Sequence, residues 1–211
     1  MRAMLELRQL ACQRDERLLF RRLALNLTSG GLLRVEGDNG CGKSSLLRQL
    51  AGLLEPAAGE ILWRGSDLRR QREAFPAELC YLGHASATHD RLDAVENLRF
   101  ACAAAGLDAP AEACRAALAE TGLQRQLGLP CRVLSQGQRR RVALARLAFA
   151  VDRPLWLLDE PFASLDVNAV AALAARIDAH CAHGGLVVFS SHQEVPLRMP
   201  VQRLQLAEYA P

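Results

Sequence analysis

A glycine-rich segment, Gly37-Asp-Asn-Gly-Cys-Gly-Lys43-Ser44, matches the pattern G-x-x-x-x-G-K-[ST], which is typical of loops that bind phosphate. Glycines let the backbone curl until successive N–H groups face phosphate oxygens, and a following helix adds the positive end of its dipole. We expect Lys43 to reach the β- and γ-phosphates of a nucleotide and the Ser44 hydroxyl to bind Mg²⁺. The residues predicted to contact nucleotide here are Gly37, Asp38, Asn39, Gly40, Cys41, Gly42, Lys43, Ser44 and Ser45.

Two adjacent carboxylates close a second segment, PLWLLDE at 154–160. Asp159 could hold Mg²⁺ through a water molecule, and Glu160 is placed to accept a proton from an attacking water. An acidic pair at the tip of a strand can also serve only to solvate the edge of a sheet. Beside a phosphate-binding loop, the pair favours hydrolysis of the nucleotide.

Both segments sit where strands and helices are expected to hold them. The apolar run LLRVEG at 32–37, followed by leucines at helical spacing, predicts a strand, a turn and a helix around the loop. The runs at 154–160 and 185–192 are typical of central parallel strands buried on both faces. Residues 168–185, rich in alanine and leucine, predict the crossover helix between them. The sequence therefore predicts a βαβ unit.

The N-terminal sequence has a different pattern. Residues 4–15 and 17–27 predict two hairpin strands, and ELCYLG at 78–83 predicts another short strand. The predicted fold is an α/β P-loop NTPase core, a mostly parallel sheet flanked by helices, with an N-terminal antiparallel β patch and a small helical subdomain.

The helical subdomain is expected in an alanine-rich, strand-poor stretch at about 85–150. Asp93 is a suitable N-cap because Glu96 follows three residues later, and Pro110 suits the first turn of the next helix. We treat residues 1–211 as one domain that includes this insertion.

Composition limits the classes of function. Charged residues interrupt every apolar stretch before the roughly 18 to 20 residues needed to cross a bilayer, and the start of the chain lacks a secretory pattern. We therefore predict a cytosolic chain without a membrane span of its own. A net charge of only +3 and an aromatic content of 5% do not indicate a nucleic-acid-binding surface, so we expect no nucleic-acid partner.

The cysteine pattern points to neither a disulfide framework nor a zinc site. Seven cysteines occur without any C-x-x-C pair, so we expect reduced and mostly buried thiols. The HCAH sequence at 180–183 is interpreted as a helix end rather than a haem or metal site.

Three further segments narrow the class of nucleotide hydrolase. LSQGQRRRVALARL at 134–147 closely resembles the signature of ABC-type ATPases, with Leu134, Ser135, Gly137 and Gln138 in place. SLD at 164–166 resembles the D-loop of that family, and His192 resembles its switch histidine. Since these segments and the phosphate loop follow the family's order, the resemblance covers essentially the whole chain.

The resemblance implies an ATPase that uses ATP and Mg²⁺ and works as a homodimer. Each ATP would lie between Lys43 of one subunit and Ser135 and Gly137 of the other, with Gln138 and Asp166 also near the nucleotide. A separate integral-membrane subunit would contact the helical insertion around residues 84–96. The chain would then be peripheral, on the cytoplasmic face of the inner membrane.

Within the superfamily the sequence is most similar to ATP-binding subunits of the haem exporter of cytochrome c maturation. The resemblance rests on GDNGCGKSSLLRQLAGL, YLGH followed by AVENLRF, the signature segment, LWLLDEPFASLD and SSHQ. It implies haem transport or the release of a haem-loaded chaperone as the work that ATP hydrolysis drives.

Two residues depart from the family pattern. His84 stands where most relatives have a glutamine that contacts Mg²⁺, and it could serve as a catalytic and metal-site residue through its neutral imidazole or as a structural histidine. Arg14 stands where relatives usually have an aromatic residue that stacks on adenine, and a guanidinium plane can also stack on a base.

Two alternatives belong to other classes. A soluble ABC-type ATPase of DNA repair or translation would be expected to have a long coiled coil, a duplicated cassette or a strongly basic arm, and the sequence has none of these. A P-loop kinase or small GTPase would leave the signature, the SLD segment and His192 without a role.

Overall fold

The computed structural model describes residues 3–211. The strands in this range are β1 Leu5–Arg14, β2 Arg17–Leu27, β3 Leu32–Glu36, β4 Ala58–Trp63, β5 Ser66–Asp67, β6 Leu79–Leu82, β7 Leu155–Leu158, β8 Leu186–Ser190 and β9 Gln202–Gln205. The α-helices are α1 Lys43–Leu50, α2 Ala94–Ala104, α3 Ala111–Glu120, α4 Gln136–Leu144 and α5 Val167–Ala182.

A parallel sheet forms the centre of the molecule, with strand order β6-β7-β8-β3-β9. Every residue of β3, β7 and β8 is buried, as predicted for central strands with both faces covered. Alternate residues of β7 serve the two faces: Leu155 and Leu157 pack in the cluster that contains α1, whereas Trp156 and Leu158 pack with α5. The sheet thus holds the strand ends that carry the predicted site residues in fixed register.

The antiparallel sheet has the order β2-β1-β4-β5. The predicted hairpin of β1 and β2 is confirmed, and β4 and β5 extend the sheet on the other side of β1. The pairing of β1 with β4 shifts register between Arg8 and Ala11, where Gly59 has φ +85°. A Cβ at Gly59 would collide with the backbone of Arg8 and Gln9, so this bulge requires glycine.

Helices α2, α3 and α4 share a separate apolar core that includes Leu98, Leu118 and Val142. The N-cap of α2 is the predicted capping box: the backbone N–H of Glu96 donates to Asp93 at 2.8 Å, and the backbone N–H of Asp93 donates to Glu96 at 2.9 Å. The prediction for Pro110 was wrong by one position. Its ψ of 148° keeps it outside the first turn, as the N-cap of α3.

The cysteines, the HCAH sequence and the helices can be compared with the predictions made for them. Six cysteines are buried and Cys41 is half-buried, and all seven are free thiols. The HCAH sequence lies at the end of α5, where His180 is buried and stacks on Trp156 with ring centroids 3.9 Å apart. Within residues 3–211, no helix combines the length and the apolar character needed to cross a membrane.

Candidate functional site

A cavity of about 850 Å³ opens at the carboxyl ends of β3, β6 and β7, where polar ligand sites of parallel sheets usually form. One wall is the β1–β2 turn, and the opposite wall is the loop between β3 and α1 with the ends of β6 and β7. The predicted site residues that line it are Arg14, Asn39, Gly40, Gly42, Lys43, Ser44, Ser45, His84, Asp159, Glu160 and His192. The structure therefore brings together residues from five separate segments of the sequence.

The loop between β3 and α1 needs its glycines at specific points. Gly42 is the N-cap of α1 with φ 112°, and a Cβ there would press on Leu19 and Phe20 at 3.2–3.3 Å. The buried ammonium of Lys43 donates to the carbonyl oxygens of Gly37 at 2.6 Å and of Asp38 at 3.1 Å. The ammonium is thus held against the loop, where phosphate oxygens could replace the two carbonyl acceptors.

Three predicted loop residues, Gly37, Asp38 and Cys41, do not line the cavity. Gly37 has φ 141°, and a Cβ there would come within 2.7 Å of Cys41 Sγ. The thiol thus packs against the bare Cα of Gly37 and supports the curvature of the loop. Asp38 contributes its carbonyl oxygen to the Lys43 ammonium.

The acidic pair occupies two different environments at the end of β7. Asp159 is 1% exposed; its Oδ1 accepts a hydrogen bond from Ser190 Oγ at 2.8 Å, and its Oδ2 has no hydrogen-bond partner within residues 3–211. Glu160 has φ 49°, a left-handed conformation that is costly for a glutamate and turns the chain sharply after the strand. Such strain is commonly found at functional sites.

Ser190, at the end of β8, is a site residue that sequence reasoning missed. Its hydroxyl donates to the Asp159 carboxylate and accepts the backbone N–H of Glu160 at 2.9 Å. One buried hydroxyl therefore orients both acidic residues. The predicted βαβ unit places β7 and β8 in one sheet, but it does not contain the register that brings Ser190 to the acidic pair.

His192 lies two residues beyond β8 and faces Glu160, with Nε2 3.4 Å from Oε1. The segment that carries His192 is attached to β3: Arg34 donates to the carbonyl of Ser191 at 3.4 Å and forms an ion pair with Glu194 at 3.2 Å. Arg34 is buried, and Glu36 pairs with it from the same face of β3 at 3.0 Å. Sequence reasoning missed these charges because Arg34 and Glu36 stand in an otherwise apolar strand.

The remaining predicted residues form a second group, outside the cavity lining. Ser135 is the N-cap of α4; its Oγ accepts the Gln138 backbone N–H at 3.2 Å, and the Gln138 side chain accepts the Ser135 backbone N–H at 2.9 Å. Gly137 packs on the carbonyl of Ser164, with no room for a Cβ. The signature and the SLD segment therefore touch within one chain.

Asp166 belongs to this second group as the N-cap of α5. The backbone N–H of Ala169 donates to its carboxylate at 2.9 Å, and Arg141 forms an ion pair with it. The hydrogen bond from Ala169, with the positive charge of Arg141, lowers the pKa of Asp166 below its usual value. This carboxylate is therefore ionised at neutral pH.

The fold, the phosphate loop and the signature define the class. The chain belongs to the ABC transporter family, whose family model matches residues 20–163. A solved protein from Pyrococcus furiosus, described as an ABC transporter ATP-binding protein, has the same fold, with a TM-score of 0.82 over 98% of this chain and 99% of its own; at 24% identity it is informative about fold alone.

Individual relatives within this family share one name. The chain is 54% identical over 207 residues to the cytochrome c biogenesis ATP-binding export protein CcmA of Aromatoleum aromaticum, covering 98% of this chain and 97% of the relative. The protein of the same name from Pseudomonas putida KT2440 is 48% identical over 204 residues, covering 95% of each chain.

Proposed function

We propose that this chain is the ATP-binding and ATP-hydrolysing subunit of a cytochrome c biogenesis export system, with haem transport or release of a haem-loaded chaperone as the work performed. The convergence of the phosphate loop, Asp159, Glu160 and His192 on one cavity carries the proposal. The names of relatives at 48–54% identity support the assignment of the process.

Binding begins at the loop. Lys43 exchanges its two carbonyl acceptors for the β- and γ-phosphate oxygens of ATP, and the backbone N–H groups at the start of α1 face the same oxygens. Arg14, on the opposite wall of the cavity, provides a planar cation that can stack on the base.

The site residues fit a magnesium ion. Asp159 Oδ2 is a buried carboxylate oxygen without a hydrogen-bond partner within the described chain, and the Ser44 hydroxyl lines the same cavity. Hard oxygen donors of this kind suit Mg²⁺, which Ser44 and Asp159 would hold. The bound ion would neutralise the phosphate charge that develops during transfer.

Hydrolysis then depends on side chains of this chain. Glu160 accepts the proton of the attacking water, and His192, whose Nε2 lies 3.4 Å from Glu160 Oε1, lines the same cavity and would contact the γ-phosphate. His84 lines the same cavity from the end of β6 and offers a lone pair to water or to a metal-bound water.

A homodimer completes the site with the second group of residues. Ser135 uses its hydroxyl oxygen as the cap acceptor of α4, which leaves its O–H free to donate to a γ-phosphate bound by the other subunit. Gly137 and Gln138 present the N-terminal end of α4, whose dipole attracts anions, and Asp166 lies beside them at the start of α5. ATP thereby joins two subunits, and hydrolysis separates them.

A separate integral-membrane subunit would take up this motion. It contacts the segment at 84–96 and the adjoining helix α2, where Phe100 is 69% exposed. Aromatic side chains are enriched at protein interfaces, so an exposed phenylalanine next to this segment is suited to contact the membrane subunit.

Co-expression of the affinity-tagged chain with the integral-membrane subunit of its export system tests the proposal. We expect the chain to co-purify with membranes only when that subunit is present. Phe100→Ser should weaken capture, whereas Leu53→Ser, at a 66% exposed leucine outside the helical region, should not. Mg²⁺-dependent ATP hydrolysis by a chain that stays soluble beside the membrane subunit would favour the soluble ABC-type ATPase instead.

A further inference from the structure

A buried arginine on α4, the signature helix, connects this helix to the ends of β6 and β7, two of the strands that border the cavity. Arg140 is 4% exposed. Its guanidinium donates to the backbone carbonyls of Gly83 at 2.9 Å and His84 at 3.3 Å, at the end of β6, and to the carbonyl of Asp159 at 2.5 Å, at the end of β7. Each acceptor belongs to a predicted site residue or its neighbour.

The guanidinium of Arg140 is buried near two carboxylates but bonds to carbonyl oxygens. Burying a guanidinium is costly, and burial lowers the pKa of Arg140. The charges of Asp159 and Glu160 oppose that shift, yet its hydrogen bonds go to three carbonyls and not to either carboxylate. A planar fork with fixed donors can hold two strand ends at a set spacing, which a flexible or apolar side chain cannot do.

We propose that Arg140 is the positioning residue that couples the signature helix to hydrolysis, by holding the backbone of His84 and Asp159 in register with α4. The proposal rests on the proposed function. When α4 binds the nucleotide of the other subunit, α4 moves. The guanidinium of Arg140 passes this movement to the catalytic base Glu160 and to the metal site of its own subunit. Arg140 does not line the cavity, so it acts through the backbone of residues that do.

Arg153 supplies a matched control elsewhere in the same fold. Its guanidinium also bonds three carbonyls between the core and the helical region: Pro76 at 3.1 Å, Ala105 at 3.1 Å and Gly106 at 3.4 Å. None of these carbonyls borders the cavity. Arg153→Gln therefore removes a similar bridge without disturbing the site.

The experiment compares Arg140→Met, Arg140→Lys and Arg153→Gln in the full chain, measuring ATP affinity, kcat and thermal unfolding. We expect Arg140→Met to lower kcat about 100-fold, the effect of a misplacement of about 1 Å, while ATP affinity changes less than about threefold. Arg140→Lys should retain intermediate turnover because the charge remains but the fork is lost. Arg153→Gln should lower the unfolding temperature and leave kcat within about twofold of wild type.

A second measurement does not depend on turnover. In a Glu160→Gln background, ATP-dependent dimerisation should weaken about tenfold on adding Arg140→Met, one 1.4 kcal/mol step, and stay unchanged on adding Arg153→Gln. Should Arg140→Met fail to fold, the same comparisons with Arg140→Lys decide the matter.

The outcomes separate the two proposals. Wild-type kcat and dimerisation in the Arg140 variants, or losses equalled by Arg153→Gln, would overturn the positioning role alone. A loss confined to ATP affinity would also overturn it. A wild-type chain that hydrolyses no ATP, with or without its membrane subunit, would overturn the proposed function and the positioning role with it.

Discussion

His192 and Glu160 face each other from the ends of neighbouring strands, with Nε2 3.4 Å from Oε1. The backbone of Glu160 is fixed by its left-handed conformation and by the hydrogen bond from its N–H to Ser190, whereas its buried Oε1 has no hydrogen-bond partner within residues 3–211. An unpaired carboxylate oxygen in this position is suited to accept a proton from water, as the proposed general base requires.

We expect Glu160→Gln to leave ATP binding intact and to reduce hydrolysis by at least about 100-fold, because the amide keeps the size of the carboxylate but cannot accept the proton. ATP and Mg²⁺ should then trap a dimer, detectable by size-exclusion chromatography. Glu73→Gln, at an exposed carboxylate outside the cavity lining, is the control and should hydrolyse normally. A monomeric Glu160→Gln protein with wild-type turnover would contradict the assignment.

His84 lines the cavity where most relatives have a glutamine, and we expect a lone pair of its imidazole to do the work of that glutamine. His84→Gln should therefore retain hydrolysis, because the amide oxygen is also an acceptor, whereas His84→Ala should lose hydrolysis or its coupling to the membrane subunit. Steady-state ATP hydrolysis and co-purification with the membrane subunit measure the two effects. Equal hydrolysis and equal capture for all three proteins would make His84 a structural residue.

Cys41 should be the thiol that reacts first with a maleimide. The other six are buried, and burial raises the pKa of Cys102 to about 12 and that of Cys181 to about 11, which suppresses their thiolates. Labelling at Cys41 should block hydrolysis, and ATP should slow the labelling, both measured by mass spectrometry with parallel assays. Cys41→Ala should stay active and resist the reagent. Equal labelling rates with and without ATP would contradict the prediction that ATP binds at the loop that contains Cys41.

His180 should make the folded state sensitive to acid. Burial lowers its pKa from 6.5 to about 4, so the unfolded chain binds a proton between these values while the folded chain does not. Stability therefore falls as pH drops through this window, and the His180 contribution between pH 7 and pH 5 is about 2 kcal/mol. Urea unfolding of His180→Phe should lack this part of the pH dependence. The same pH dependence of unfolding in His180→Phe and wild type would contradict this assignment.

Sequence reasoning located the central strands because β7 and β8 are apolar on both faces, a pattern that few other elements share. It missed β4, whose first half is exposed and contains a glycine, and β9, which buries only Leu204. Strands that are partly exposed in this way, one internal (β4) and one at a sheet edge (β9), are stabilised mainly by the strands beside them. Their existence depends on pairings that the local pattern does not contain.

The site was predicted only where residue type and spacing suffice. Lys43 and the acidic pair lie in contiguous motifs, whereas Ser190 and Arg140 act through contacts with residues 31 and 19 positions away. Serine at a strand end and arginine in a helix are common residues without a distinctive spacing. Their roles follow from the strand order and from the packing of α4, which only the folded chain reveals.

The close approach of Gly137 to the carbonyl of Ser164 has a consequence for how two copies would share work. In the proposed dimer Gly137 faces the other subunit's ATP, while Ser164 lies four residues beyond the subunit's own base, Glu160. A movement of Gly137 would displace the Ser164 carbonyl directly, because no side chain separates the two. Nucleotide bound at one site of the dimer would therefore affect hydrolysis at the other site, so that the two copies alternate or act together instead of working independently.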